Sequence, residues 1–109
     1  MNQENTIKND IWEALKEIQD PEMPIDIVNL GLIYAIHLKP NPNGTSWDAT
    51  ISMTLTNPAC TLGPFIAQQI KQTAESISGV DRAFIEIVWD PPWTKHKISE
   101  EGRMMLGIL

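Results

Sequence analysis

Cys60 is the single cysteine in a chain of 109 residues, set in Asn57-Pro58-Ala59-Cys60-Thr61 just ahead of a stretch with helical spacing. Unpaired amides and the helix dipole at such a position favour thiolate over thiol, which makes the sulfur a better nucleophile and a better ligand for soft metal. A lone cysteine is more often a small buried hydrophobe. Here the loop between Pro58 and Pro64 is a poor place to hide a side chain, and the reactive reading is preferred. Asp20, Glu22 and Asp26 can form an acidic rim for a metal or a partner's basic residue, although a helix-ending turn and solvated carboxylates explain them as well. Thr56 can offer its hydroxyl to the cysteine loop, against the plainer view that threonine on a strand face reflects strand preference.

His96 lies in a loop expected to approach Cys60, where a thiol–imidazole pair is conceivable; His37 sits mid-strand and reads as structural. A zinc site needs four ligands, or three plus water, and no C-x-x-C or H-x-x-x-H spacing exists. Trp93, beside Pro91-Pro92, either anchors a partner or lids the core, and Met104-Met105-Leu106 is either a dimer contact or a docked last turn.

The elements that must position these residues follow from periodicity. Asp10 with Glu13 makes a capping box for a helix carrying Ile11, Leu15 and Ile18, and Pro21 ends it near Asp20. Period two from Leu32 to Leu38 puts Leu32, Tyr34, Ile36 and Leu38 on one side of a strand and Ile33, Ala35 and His37 on the other. The Pro- and Asn-rich turn at 39–44 reverses the chain into a second strand, Trp47 to Leu55, with one apolar and one polar face. Leu62, Phe65, Ile66, Ile70, Ala74 and Ile77 then mark a helix ending at Gly79, with Pro64 in its first turn. Val80 to Trp89 alternates as a third strand, and Ser99-Glu100-Glu101 opens a last helix, weakened by Gly102, that runs through Leu106.

The expected fold is a two-layer α/β domain, α-β-β-α-β-α, with one small mixed sheet. Residues 1–9 read as a flexible N-terminus and 10–109 as a single domain. A helical crossover makes the second and third strands parallel, and a hairpin makes the first antiparallel to the second. The segments Asp20-Pro21-Glu22, Thr56 to Thr61 and Trp89 to Thr94 therefore meet at one sheet end, where ligands of α/β sheets usually bind.

Eight Lys+Arg against fourteen Asp+Glu give a net charge of −6, with the cations scattered. Nucleic acid needs massed cations and is an unsuitable partner. No apolar run approaches the roughly 18 residues of a membrane span. One cysteine permits no internal disulfide and suits a reducing cytoplasm.

The segments DPEMPIDIVNLGLIY (20–34), MTLTNPACTLG (53–63), VWDPPWT (88–94) and Ser99-Glu100-Glu101 resemble the metal–sulfur cluster assembly factors, the family of SufT-like and PaaD-like proteins. The resemblance spans about residues 10–104. It implies an iron–sulfur cluster assembly domain and an accessory role in maturing iron–sulfur proteins, without catalysis. It also implies a functional cysteine at Cys60, an acidic pair at Asp20 and Glu22, a threonine at Thr56, and the pair Trp89 and Asp90. No tightly bound cofactor is expected. Iron or a cluster would pass transiently through Cys60, shared with a second copy in a homodimer or with a partner from the assembly machinery or an apo client, because one cysteine cannot hold a cluster alone. Thr61 stands where relatives commonly have proline and Gly102 where they have alanine, and His96 falls in a stretch that is often acidic. Two alternatives remain open. One is a thiol enzyme with Cys60 as nucleophile, His96 as base and Asp90 as orienter; the other is an accessory protein of a phenylacetate-type oxygenase system.

Overall fold

The computed structural model describes residues 3–20, 24–56 and 63–107. Helix α1 spans Gln3–Leu15, so the segment read as a flexible N-terminus is helical from its third residue and no cap forms at Asp10. The cause is Ile7, which lies one turn before Ile11 and extends the buried stripe Ile7, Ile11, Leu15 along one face. The helix also stops earlier than Pro21 requires. Its end tightens through Lys16 N→Glu13 O, Glu17 N→Ala14 O and Ile18 N→Leu15 O, bonds three residues apart that satisfy the last carbonyls.

The chain then forms an element absent from the sequence reading. Gln19 bridges Asp26, Asp20 N donates to Ile25 O, and the single-turn helix α2 follows at Ile27–Leu30. Its start is capped by the Asp26 carboxylate and its end by Gly31, whose φ of +88° belongs to the left-handed region.

Strands β1 (Ile33–Pro40) and β2 (Trp47–Met53) are antiparallel. Helix α3 (Gly63–Glu75) carries the chain over to β3 (Val80–Ile87), parallel to β2, in a sheet of order β1-β2-β3. A turn of 3-10 helix at Lys95–Lys97 and helix α4 (Glu100–Leu106), capped by Ser99 Oγ on Gly102 N, complete the described chain. The two-layer α/β fold with a small mixed sheet is thus the one expected.

Two side-chain assignments differ. The register of β1 slips between Ile33 and Ala35, so Ile33 and Ile36 are both buried and Tyr34 leaves the side on which strict alternation put it. Phe65, counted on the apolar face of α3, is 59% exposed, while Ile66, Ile70 and Ala74 pack inward. The core lies between the sheet and the helices α1 and α3: Ala49, Ile51, Met53 and Ala83 meet Ile11, Leu15, Ile66 and Ile70, all fully buried or nearly so. Gly102 serves this packing. A Cβ there would sit 2.7 Å from Ile25 Cδ1 and 3.0 Å from Asn29 O, so the helix-weakening residue is what lets α4 close onto α2.

Candidate functional site

Parallel pairing puts the C-terminal ends of β2 and β3 and the start of β1 at one end of the sheet. Two hydrogen bonds past the strand ends hold them together, Thr54 N to Leu32 O and Val88 N to Met53 O, both 2.8 Å. From that end β2 continues to a half-buried Thr56, and β3 continues to Trp89 and Asp90, both exposed. The segment from Asp20, itself half-buried, reaches the same end through α2, whose last carbonyl, Leu30 O, accepts a 2.8 Å bond from Trp93 Nε1. Cys60 and Glu22 lie outside the described residues.

Neutral donors tie the converging loops together. Tyr34 Oη donates to Pro91 O at 2.7 Å, and Ser99 Oγ donates to Asn29 Oδ1 at 2.6 Å while Ser99 N donates to Asn29 O. Trp93 is half-buried and hydrogen-bonded, which makes it a lid on the core rather than a free anchor. Tyr34 and Lys97, not singled out from the sequence, frame this end: the Lys97 ammonium lies 5.0 Å from the Tyr34 ring centre, within cation–π range. Burial pushes the Tyr34 phenol above its ordinary value and nearby Asp90 adds to the rise, while the Thr54 hydroxyl opposes both. Thr54 Oγ1 is fully buried and makes no hydrogen bond of good geometry among the described residues. A tyrosine within an alternating apolar run was the available signal, because its hydroxyl must find a partner when the ring is packed.

Asp26 is not part of an acidic rim. It is 5% exposed, accepts from Val28 N and Asn29 N on Oδ2 at 3.1 and 2.9 Å, and from Asn29 Nδ2 on Oδ1 at 2.7 Å. Its work is to cap α2 and aim Asn29 at Ser99. His96 is exposed on the 3-10 turn, and among the described residues no hydrogen bond joins its ring to Asp90. His37 is exposed on β1, as its mid-strand position suggested. Among the described residues no group of three or more His, Cys, Asp or Glu is placed to hold a metal, and no helix is long and apolar enough to cross a membrane.

Known proteins resemble this chain in sequence and fold. Residues 8–87 match the family described as iron–sulfur cluster assembly protein. The chain is 38% identical over 105 residues to the Fe-S protein maturation auxiliary factor YitW of Bacillus subtilis, covering 96% of this chain and 98% of the relative. It is 40% identical over 89 residues to the Fe-S protein maturation auxiliary factor SufT of Staphylococcus aureus, covering 82% and 96%. Among solved structures, a domain of unknown function from Bacillus anthracis superposes with a TM-score of 0.85 at 30% identity, covering 98% of this chain and 97% of that one. Matched over most of its length by the family and by relatives of similar size, the chain belongs to the iron–sulfur cluster assembly protein family.

Proposed function

We propose that this protein is a non-catalytic accessory factor in the cytoplasm that helps deliver iron or an iron–sulfur cluster to apo client proteins, with Cys60 as its transient thiolate ligand. The observation that carries the proposal is that Thr56, on the chain leading to Cys60, emerges at the same sheet end as Trp89 and Asp90. Relatives of nearly the same length bear the name of maturation auxiliary factors, which supports a helper rather than an enzyme. The solitary cysteine supports a reducing compartment.

In this reading the cluster is cargo. Clusters are held by about four thiolates, so Cys60 supplies one and a partner from the assembly machinery, a client or a second copy supplies the rest. That makes the hold transient and the transfer reversible. Asp20 and Glu22 supply negative charge for iron or for a partner's basic side chain, Thr56 a hydroxyl beside the cysteine loop, and Trp89 and Asp90 the exposed contact for the partner.

The test is the activity of a cluster-dependent enzyme such as aconitase in cells lacking the protein, restored by wild type, Cys60→Ser or Trp89→Ala at matched abundance. Wild type is expected to restore activity, Cys60→Ser to fail, and Trp89→Ala to restore it in part. Equal rescue by Cys60→Ser removes the thiol from the mechanism, and an undiminished enzyme in the deleted cells removes the maturation role.

A further inference from the structure

Strand β3 is an outer strand whose free edge is closed at one end and, among the described residues, open at the other. The Ala83 amide donates to Glu75 Oε2 at 3.0 Å and its carbonyl accepts from Lys71 Nζ at 2.6 Å, while Lys71 and Glu75 pair with each other at 2.8 Å on α3. Val88 N points instead to β2, at Met53 O. Backbone groups alternate along a strand, so Phe84 and Glu86 also point to β2, and Ile85 and Ile87 point outward like Ala83. None of the loop or side-chain hydrogen bonds among the described residues ends on the backbone of Ile85 or Ile87.

A groove of about 330 Å³ runs between α3 and β3 from the closed part of the edge to Ile85, lined by Pro64, Ala67, Gln68 and Lys71 from the helix and by residues 83–85 of the strand. A helix set alongside an unpaired strand edge is a geometry in which extended peptides add as a further strand, backbone bonds giving affinity and alternate side chains giving selectivity. We propose that this edge accepts a short extended segment of a partner protein as a fourth strand beside β3, with an apolar side chain in the groove and a basic one opposite Glu86. Nothing in this docking depends on Cys60 or on the cargo.

The basic residue follows from charge. Glu86 is exposed between Ile85 and Ile87 and joins no ion pair among the described residues, on a chain of net charge −6. A second copy of the chain fits the edge poorly. Antiparallel pairing that puts Arg82 opposite the copy's Glu86 needs the Ala83 groups already taken by Lys71 and Glu75. Registers that spare the clip put Glu86 opposite the copy's Phe84 or opposite its own equivalent, and like charges facing across strands are destabilising. Parallel pairing of two copies through this edge offsets them by one residue, which departs from the two-fold symmetry of an ordinary dimer.

The probes are two blocked pentapeptides, one alternating valine with lysine and one alternating valine with glutamate, titrated into the nitrogen-15-labelled full chain. The lysine peptide is expected to shift amide resonances at 64–71 and 83–87 and to slow hydrogen exchange at the Ile85 and Ile87 amides. The glutamate peptide is expected to bind about threefold more weakly, from the size of one cross-strand charge pair. Glu86→Lys, an exposed substitution that leaves the fold intact, should reverse that order. Shifts elsewhere, or unchanged exchange at Ile85 and Ile87 with millimolar lysine peptide, overturn the docking edge. Equal binding of both peptides overturns the basic partner, and concentration-dependent shifts at β3 without peptide overturn the heterologous occupant in favour of a second copy.

Discussion

The two ends of the sheet are held by different chemistry. At the end where β1 turns into β2, charged side chains are paired: Asn41 Nδ2 donates to Asp48 Oδ1 at 2.7 Å and to Asp81 Oδ2 at 2.9 Å, and Arg82 Nη2 donates to Asp48 Oδ2 at 3.0 Å. At the opposite end neutral donors, Tyr34, Trp93 and Ser99, tie together loops 57, 63 and 70 residues apart. There Trp89 and Asp90 stay exposed, and Asp90 makes no ion pair among the described residues. One end uses its charges for the fold. The other ties its loops through neutral donors, keeps its charges to the Asp26 cap and the Lys97 contact with Tyr34, and leaves the Asp90 carboxylate and the Trp89 indole exposed to something outside the chain.

The largest expected effect breaks the loop end through its backbone. Gly31 has φ +88°, and a Cβ there would run into the Lys97 carbonyl. Gly31→Ala is expected to cost about 3 kcal/mol or more, since strain and a backbone collision coincide. Urea unfolding checks this. A loss below about 1 kcal/mol would mean that the 95–97 turn yields easily, and that the loop end is held less firmly than its hydrogen bonds suggest.

Asn41→Ala tests the charged end. It removes the one donor shared by Asp48 and Asp81 and leaves two carboxylates facing each other, only partly answered by Arg82. The expected loss is about 1–3 kcal/mol, the cost of stranding a partner of a buried hydrogen bond. Trp89→Ala should lie within about 0.5 kcal/mol of wild type, as surface changes usually do. If it destabilises as much as Asn41→Ala, Trp89 belongs to the fold and not to the exposed contact.

The pattern of legibility follows the same division. The strands, the crossover helix and the Ser99 cap were readable because their signals are local: alternation in 47–55, helical spacing in 63–75, a capping serine before two glutamates. The meeting of the β2 and β3 ends followed from chain connectivity alone. Three features were not readable. Helix α1 begins at Gln3 because one isoleucine among polar residues finds the core, which is a tertiary fact. Asp26 turned from rim to cap because a one-turn helix is too short to show a period. The slip at Tyr34 came from a bulge, which turned Ile33 inward while Ile36, His37 and Leu38 kept the facing that alternation gave them. Of the candidate site, the positions of Thr56, Trp89 and Asp90 followed from strand order, whereas Tyr34 and Lys97 needed the three-dimensional contact.

The smallest expected effect separates the two ends by pH. Asp48 is held below the usual carboxylate range by the Asn41 hydrogen bond first and by Arg82 as well, and Glu75 by Lys71 and the Ala83 amide. A group with a lowered folded value contributes stability that is whole above its unfolded value, about 4, and is lost as pH falls through the folded one. Tyr34 is raised, so its contribution is whole below its unfolded value, about 10, and is lost as pH rises through the folded one. Stability should therefore fall at both extremes, the acid side through the charged end and the clip on β3, the alkaline side through the loop end. Urea midpoints against pH for wild type, Asn41→Ala and Tyr34→Phe check the assignment. Asn41→Ala should flatten the acid side in part, the share of Glu75 remaining, and leave the alkaline side as it is. Tyr34→Phe should flatten the alkaline side only, at a cost of about 1 kcal/mol below the alkaline fall for the lost bond to Pro91 O, and an unchanged alkaline side in that variant would move the phenol's role to another residue.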